Sequence, residues 1–399
     1  MQKKTFIHKI KGKVYRILFR RKRTPEEKIK ILLLTNRDSD NVGDQVIEAC
    51  DISLISTVMR NLGEGRIKDD DFKIYSSAAG IISKKYLETR NPELLKSAEN
   101  TIKKVDLIIF GGAPLFNYSY QMFYERTAVT LELAQKYGKP VIFSAIGIEG
   151  YDEYNKKCQR LKRTLNFNCV KQITTRDDLE SLKKFINDGK INIGKVSDPA
   201  VFTKEVFKKF ISEKKVKKKI GIFVLRANGF VDNKIGFSKY DAADLWKSLI
   251  AKLEEKEYEY ELITSGHFGD EAFLDYLIGK CGVKAQNCVF NMNSPERLIR
   301  KISSFDVVVS TRLHPSIISF SLGVPSVGIV WNTKVTHFYN SIGYGNRALE
   351  IERITSDLII EKIEECMREG VEKDSKYLMS VYEYLFEGIR NAIFPKKMM

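Results

Sequence analysis

Nowhere in the 399 residues does an apolar run reach the roughly 18 to 20 residues that a membrane-spanning helix needs. The first residues are basic but hold no apolar core followed by a small-residue cleavage site, so no secretory signal is expected there. Those two absences lead to the expectation of a cytoplasmic protein. Cysteine is sparse. The six (Cys50, Cys158, Cys169, Cys281, Cys288, Cys366) never form a C-x-x-C pair, and are expected to be reduced, buried small hydrophobes. Only four histidines occur (His8, His267, His314, His337), without ligand-type spacing, so no metal site is expected. No repeat of solenoid length is visible.

Acidic residues are missing from two places. The first 23 residues hold ten lysines and arginines and no acid, which accounts for ten of the sixteen excess positive charges. Within that stretch Phe6, Ile10, Val14 and Ile17 or Leu18 recur at spacings of three and four, so residues 1–28 read as a basic amphipathic arm. Such an arm through residues 1–23 can lie on an anionic membrane surface, which would put the protein at the inner face of the membrane. A solvated tail or a helix docked on the body fits the same pattern. Nucleic acid is not an expected partner, because no recognition motif accompanies the charge.

The second acid-free stretch runs from Asp306 to Glu350, and between those two it carries Arg312, His314, Lys334, His337 and Arg347. A cleft lined by one sign of charge concentrates ligands of the other.

From Ile29 onward short apolar runs alternate with amphipathic helical stretches. Ile31–Thr35, Val105–Phe110, Val141–Ile146 and Gln172–Thr174 read as buried parallel strands. After a lysine-rich segment from Lys204 to Lys219 a second series follows: Ile220–Leu225, Tyr258–Thr264, Val307–Ser310 and Ser326–Val330. The expected fold is α/β, with two Rossmann-like, doubly wound lobes over residues 29–205 and 218–374 facing a central cleft. Residues 375–399 are expected to form a helix that crosses back onto the first lobe.

The loops after these strands hold the chemistry. After the first strand, Asn36 to Asp44 makes a polar loop longer than a βα turn requires. Either it shapes a site or Asp44 caps the following helix while Gly43 makes the turn. Gly111 and Gly112 end another strand without the further glycine of a dinucleotide fingerprint, and let a ligand or another backbone approach. Ser144 to Gly147 gives a similar small-residue edge. Arg176 and Asp177 follow Gln172–Thr174, where an arginine fork suits a carboxylate or phosphate; a surface ion pair is the alternative. Asp198-Pro199 can be a turn only.

The densest group is Ser310-Thr311-Arg312-Leu313-His314-Pro315, which delivers an arginine and a histidine to a strand end just before a helix N-terminus, where anions are favoured. A core histidine with satisfied hydrogen bonds is the plainer alternative for His314. Trp331-Asn332-Thr333-Lys334 follows the next strand.

In order, Asn41-Val42-Gly43-Asp44, Gly111-Gly112, Arg176-Asp177, Asp198-Pro199, Arg312-Leu313-His314, Gly323-Val324-Pro325 and Lys334 resemble the polysaccharide pyruvyl transferase family, from about Ile31 to about Gly345. The resemblance implies a fold like that of the two-lobed glycosyltransferases, phosphoenolpyruvate as donor substrate, no cofactor, and a pyruvate ketal formed across two hydroxyls of a saccharide acceptor. That acceptor belongs to a surface polysaccharide such as a capsule or exopolysaccharide, or to its lipid-linked precursor. It implies that Arg312 holds the donor's anionic groups, His314 is the catalytic acid, and Arg176 is a second arginine on the donor. Asn41 and Asp44 line the cleft, with Asp44 as base for the acceptor hydroxyl; Gly43, Gly111, Gly112, Leu313 and Lys334 complete the implied substrate-binding set. Two departures stand out: Ala113-Pro114 replaces a third glycine, and the basic arm lies outside the resemblance. A nucleotide-sugar glycosyltransferase would share the architecture, although Asp69-Asp70-Asp71 follows Lys68 rather than an apolar strand and reads as a solvated turn. A non-catalytic relative in polysaccharide assembly is the third reading.

Overall fold

The computed structural model describes residues 28–394 apart from 65–66, 79–80, 117–122, 149, 188, 190 and 213–217. The basic arm therefore lies outside the described residues, as does part of the lysine-rich segment between the two strand series.

The first series forms a six-stranded sheet from β1 (Ile29–Thr35), β2 (Phe72–Ala78), β3 (Leu107–Gly111), β4 (Val141–Ile146), β5 (Val170–Thr175) and β6 (Asn192–Lys195), in the order β2-β1-β3-β4-β5-β6. The second contains β7 (Lys219–Phe223), β8 (Glu259–Ile263), β9 (Cys288–Val289), β10 (Val307–Ser310), β11 (Ser326–Val330) and β12 (Ala348–Glu350), in the order β12-β11-β10-β7-β8-β9. Every pairing in both is parallel. The central strands are apolar throughout because both faces are covered: Ile31 to Leu34 and Val307 to Val309 are all buried.

Each sheet reverses its winding once, between β1 and β3 and between β7 and β10. In open α/β sheets the crevice at such a reversal, outside the carboxyl ends of the strands, is where ligands bind. The two loops richest in candidate residues, after β1 and after β10, leave the sheets at those points.

Five helices, labelled in chain order, position the site. Helix α1 (Val42–Leu62) starts at Asn41, whose side chain accepts from Gly43 N–H. Helices α2 (Phe268–Cys281), α3 (Leu313–Leu322) and α4 (Thr333–Ser341) follow β8, β10 and β11. Helix α5 (Ser375–Ile393) is the last element, and packs on the first sheet through Val381, Leu385 and Ile389. It is also pinned by polar bonds, Gln172 Nε2 to the Tyr384 carbonyl at 2.8 Å and Ser197 Oγ to the Leu378 carbonyl at 3.0 Å.

The two sheets share an apolar seam. Val42, Val46, Ile47 and Cys50 of α1 bury against Leu298, Ile299 and Ile302 of the helix Pro295–Ile302, and against Ile317 and Phe320 of α3. Burying one such side chain contributes about 1.5–3 kcal/mol, so the seam fixes α1 firmly beside the second sheet. No helix among the described residues is long and apolar enough to cross a membrane. Four cysteines are buried, whereas Cys281 and Cys288 are only half-buried; all six are free thiols. Asp69–Asp71 forms a short, exposed 3-10 turn.

Candidate active site

Two strand ends meet through the start of α1. Val42 N–H donates to the Ser265 carbonyl after β8 at 2.9 Å. Gly43 lies flat against His314: a Cβ at residue 43 would come within 2.4 Å of the imidazole. The glycine is thus needed for close approach between the lobes rather than for a turn.

His314 sits in the first turn of α3, nearly buried. Its Nδ1 lies 2.9 Å from Asn41 Nδ2, and its Nε2 lies 3.7 Å from Asp44 Oδ1. The other carboxylate oxygen, Asp44 Oδ2, accepts from Asn36 Nδ2 at 2.9 Å and from Ser39 Oγ. The long polar loop after β1 therefore does two things: Asn41 caps the helix, and Asn36 and Ser39 orient Asp44.

The electrostatics of the pair depart from the sequence-based expectation. A histidine acid should titrate near its ordinary range, yet burial holds His314 well below it, and the positive charges of Arg176, Arg312 and Lys334 push in the same direction. Burial raises Asp44 to about 6 against the pull of Ser39, Arg176 and Asn36. In the resting site the group poised near neutrality is the carboxyl.

Arg312 leads into α3, where its backbone N–H is held by Ser310 Oγ at 3.0 Å. Its Nε donates to Asp270 Oδ2 at 2.8 Å and its Nη2 to Asp270 Oδ1, a two-pronged grip that leaves Nη1 for a ligand. The guanidinium also stands 5.9 Å from the centre of the Trp331 ring. Asp270, fully buried on α2, additionally accepts from Arg226 N–H at 2.8 Å. Sequence reasoning missed Asp270: it lies 42 residues from its partner and reads as one more acid in a helix's first turn.

No side-chain hydrogen bond caps α3, and since Pro315 has no N–H its first turn offers the backbone N–H groups of Leu313 and His314 beside Arg312. Lys334 opens α4, half-buried, with its backbone N–H bonded to Asn332. Leu313 is a packing residue of the shared seam that spaces Arg312 from His314.

The remaining candidates are held by the protein's own groups. Arg176 is buried, ion-paired to Asp198 and 3.9 Å from Asp177. Burial works against its charge, but Asp198, Asp177 and Asp44 outweigh it. Arg176 is the counter-ion of a buried acidic cluster, and Asp198 is more than a turn residue. At Gly111 and Gly112 the side-chain space is filled from α1, since added Cβ atoms would come within 2.3 Å of Asp51 Oδ2 and 2.2 Å of Ile47 Cγ2. Asp51 itself is buried, with Oδ2 unbonded among the described residues, and burial raises its pKa well above the ordinary carboxylate range. Among the described residues no group of three or more His, Cys, Asp or Glu is arranged to hold a metal ion.

Two doubly wound parallel sheets with a polar cleft between their switch points define a glycosyltransferase-B-like α/β enzyme fold. Solved structures agree at the level of fold. The UDP-GlcNAc 2-epimerase of Methanocaldococcus jannaschii is 12% identical with a TM-score of 0.57, covering 90% of this chain and 98% of that one. The Rickettsia bellii UDP-N-acetylglucosamine 2-epimerase is 11% identical with a TM-score of 0.51, over 92% and 96% of the two chains. The Neisseria meningitidis UDP-GlcNAc 2-epimerase, solved bound to UDP-GlcNAc, is 11% identical with a TM-score of 0.50, over 92% and 97%. A comparison with curated protein sequences finds no match. Comparison with protein families matches residues 15–333 to polysaccharide pyruvyl transferase, and the chain belongs to that family. The match begins inside the basic arm of residues 1–28 and stops short of Lys334 and Gly345.

Proposed function

We propose that this transferase moves a pyruvyl group from phosphoenolpyruvate to a sugar diol, forming a ketal on a surface polysaccharide or its lipid-linked precursor. The observation that carries the reading is a set of cationic and N–H donors, Arg312, Lys334 and the uncapped start of α3, beside a proton-carrying pair, Asp44 and His314. Phosphoenolpyruvate brings a phosphate and a carboxylate that need fixed positive partners, and a methylene carbon that needs one proton. The chemistry demands no metal: the arginine, the lysine and the helix end stabilise the departing phosphate.

The test measures phosphate release from phosphoenolpyruvate with a panel of galactosides and N-acetylhexosaminides, and product mass alongside. Acceptor-dependent release with the mass gain of a pyruvyl ketal is expected, and His314→Ala is expected to lose it. Silence with every acceptor, together with binding of a uridine or guanosine diphosphate sugar, would replace the proposal with glycosyl transfer on the same fold.

A further inference from the structure

The amide of Asn41 is not free to choose its orientation. Its Oδ1 accepts Gly43 N–H at 3.1 Å as the cap of α1, so Nδ2 is the group that faces His314 Nδ1 at 2.9 Å. An NH2 can only donate, so Nδ1 must accept. The ring proton of His314 then resides on Nε2, directed towards Asp44. An imidazolium would carry a proton on Nδ1 as well and set two donors against each other. Turning the amide would relieve that clash only by breaking the helix cap.

Asp44 is arranged in complementary fashion. Oδ2 is already taken by two donors, Asn36 Nδ2 and Ser39 Oγ, so a proton on this carboxyl belongs on Oδ1. Oδ1 and His314 Nε2 are 3.7 Å apart, too far for a hydrogen bond between them. Both therefore point their protons into one slot between the lobes. The charged groups acting on the pair are Arg176 after β5, Arg312 ahead of α3 and Lys334 on α4, all cationic, and Asp198 after β6, whose charge opposes that of Asp44.

We infer that Asn41 is a positioning residue that holds His314 as the neutral imidazole protonated on Nε2, so that the Asp44 carboxyl delivers the proton to the enolpyruvyl methylene. This rests on the pyruvyl-transfer reading and reverses the roles implied by the family resemblance. Asp44 Oδ1–H protonates C3 and the carbon becomes a methyl group; the first sugar hydroxyl bonds to C2 and returns its proton to Asp44. Phosphate then leaves C2, the second hydroxyl closes the ketal, and its proton departs with the phosphate. His314 Nε2–H and Arg312 donate to the donor's oxygens throughout.

The test begins without turnover. With 15N-histidine-labelled protein there are four imidazoles to follow, and His314→Gln assigns the signal. Residue 314 in the parent protein is expected to stay neutral, protonated on Nε2, from about pH 8 to about pH 5, across the range in which an ordinary histidine charges. Asn41→Asp keeps a helix cap but offers an acceptor, and should let His314 charge within that range; Asn41→Ser caps without reaching the ring and should release the single tautomer. A parent His314 that titrates normally, or carries its proton on Nδ1, overturns the inference.

Turnover then separates the two proton carriers. Asp44→Asn should lose at least about 10²-fold in kcat, the scale of general acid–base catalysis, while His314→Gln, whose amide still presents an N–H, should lose less. The opposite ranking assigns the proton to His314. If the parent protein turns over no phosphoenolpyruvate with any acceptor, the role of Asp44 falls with the proposed function, and the nitrogen spectra still decide the tautomer.

Discussion

At the scale of single residues, two arginines with the same sequence context have opposite fates. Arg176 and Arg312 each follow a buried strand and precede a helix. The first is swallowed by Asp198 and Asp177; the second keeps one edge towards the cleft because a single carboxylate, Asp270, takes the other. Apart from the adjacent Asp177, nothing within a few positions of either arginine signals this, since the hydrogen-bonded partner comes from another element: Asp198 is 22 residues away and Asp270 is 42. Local spacing reveals which residue types arrive at a strand end, whereas burial and distant partners decide which remain usable. Asp270→Ala should leave a nearly buried guanidinium unpaired, at a cost of about 3–5 kcal/mol in stability measured by denaturant unfolding. Asp270→Glu keeps the charge and should retain more of the donor affinity. The Michaelis constant for phosphoenolpyruvate is expected to rise by about tenfold or more in the alanine variant, which is a loss of about 1.4 kcal/mol in binding.

At the scale of elements, the central strands were legible because continuous apolar runs admit few other readings. Val141–Ile146, Val307–Ser310 and Ser326–Val330 have the expected boundaries. The edge strands were not. In β2 most of the side chains remain partly exposed, and β9 is two residues long, so neither has the buried run that marks a strand from sequence. The last helix shows its stripe clearly: Val381, Leu385 and Ile389 lie four apart, and all three are buried against the first sheet. Leu385→Ala should cost about 2–5 kcal/mol, read as a lowered thermal midpoint, with activity at moderate temperature largely kept because the residue lies in the packing and not in the cleft.

At the scale of the whole molecule, the site stores charge at the expense of stability. The folded pKa of Asp44 lies near 6 against 3.8 for an ordinary aspartate. Below the lower value both folded and unfolded chains hold the proton. As pH rises from about 4 to about 6 the unfolded chain releases it first, and stability falls by up to roughly 3 kcal/mol. His314 acts on the opposite side: its folded pKa is depressed, so its contribution is intact above the ordinary histidine value and is lost as pH falls below it. Asp44→Asn should therefore unfold at a higher temperature than the parent at pH 7.5 and at nearly the same temperature at pH 4, while turning over at least about 10²-fold more slowly. Thermal scans at the two pH values check this, and equal midpoints at pH 7.5 would contradict it.

The contact between Gly43 and His314 has a consequence for spacing. One hydrogen atom on one α-carbon sets how near the first lobe can come to the second. Any side chain at that position would have to displace the imidazole or the start of α1, which the apolar seam holds in place. Residue 43 is thus a spacer as well as a neighbour of the chemistry, and even alanine there would push the Asn41–His314 pair out of register.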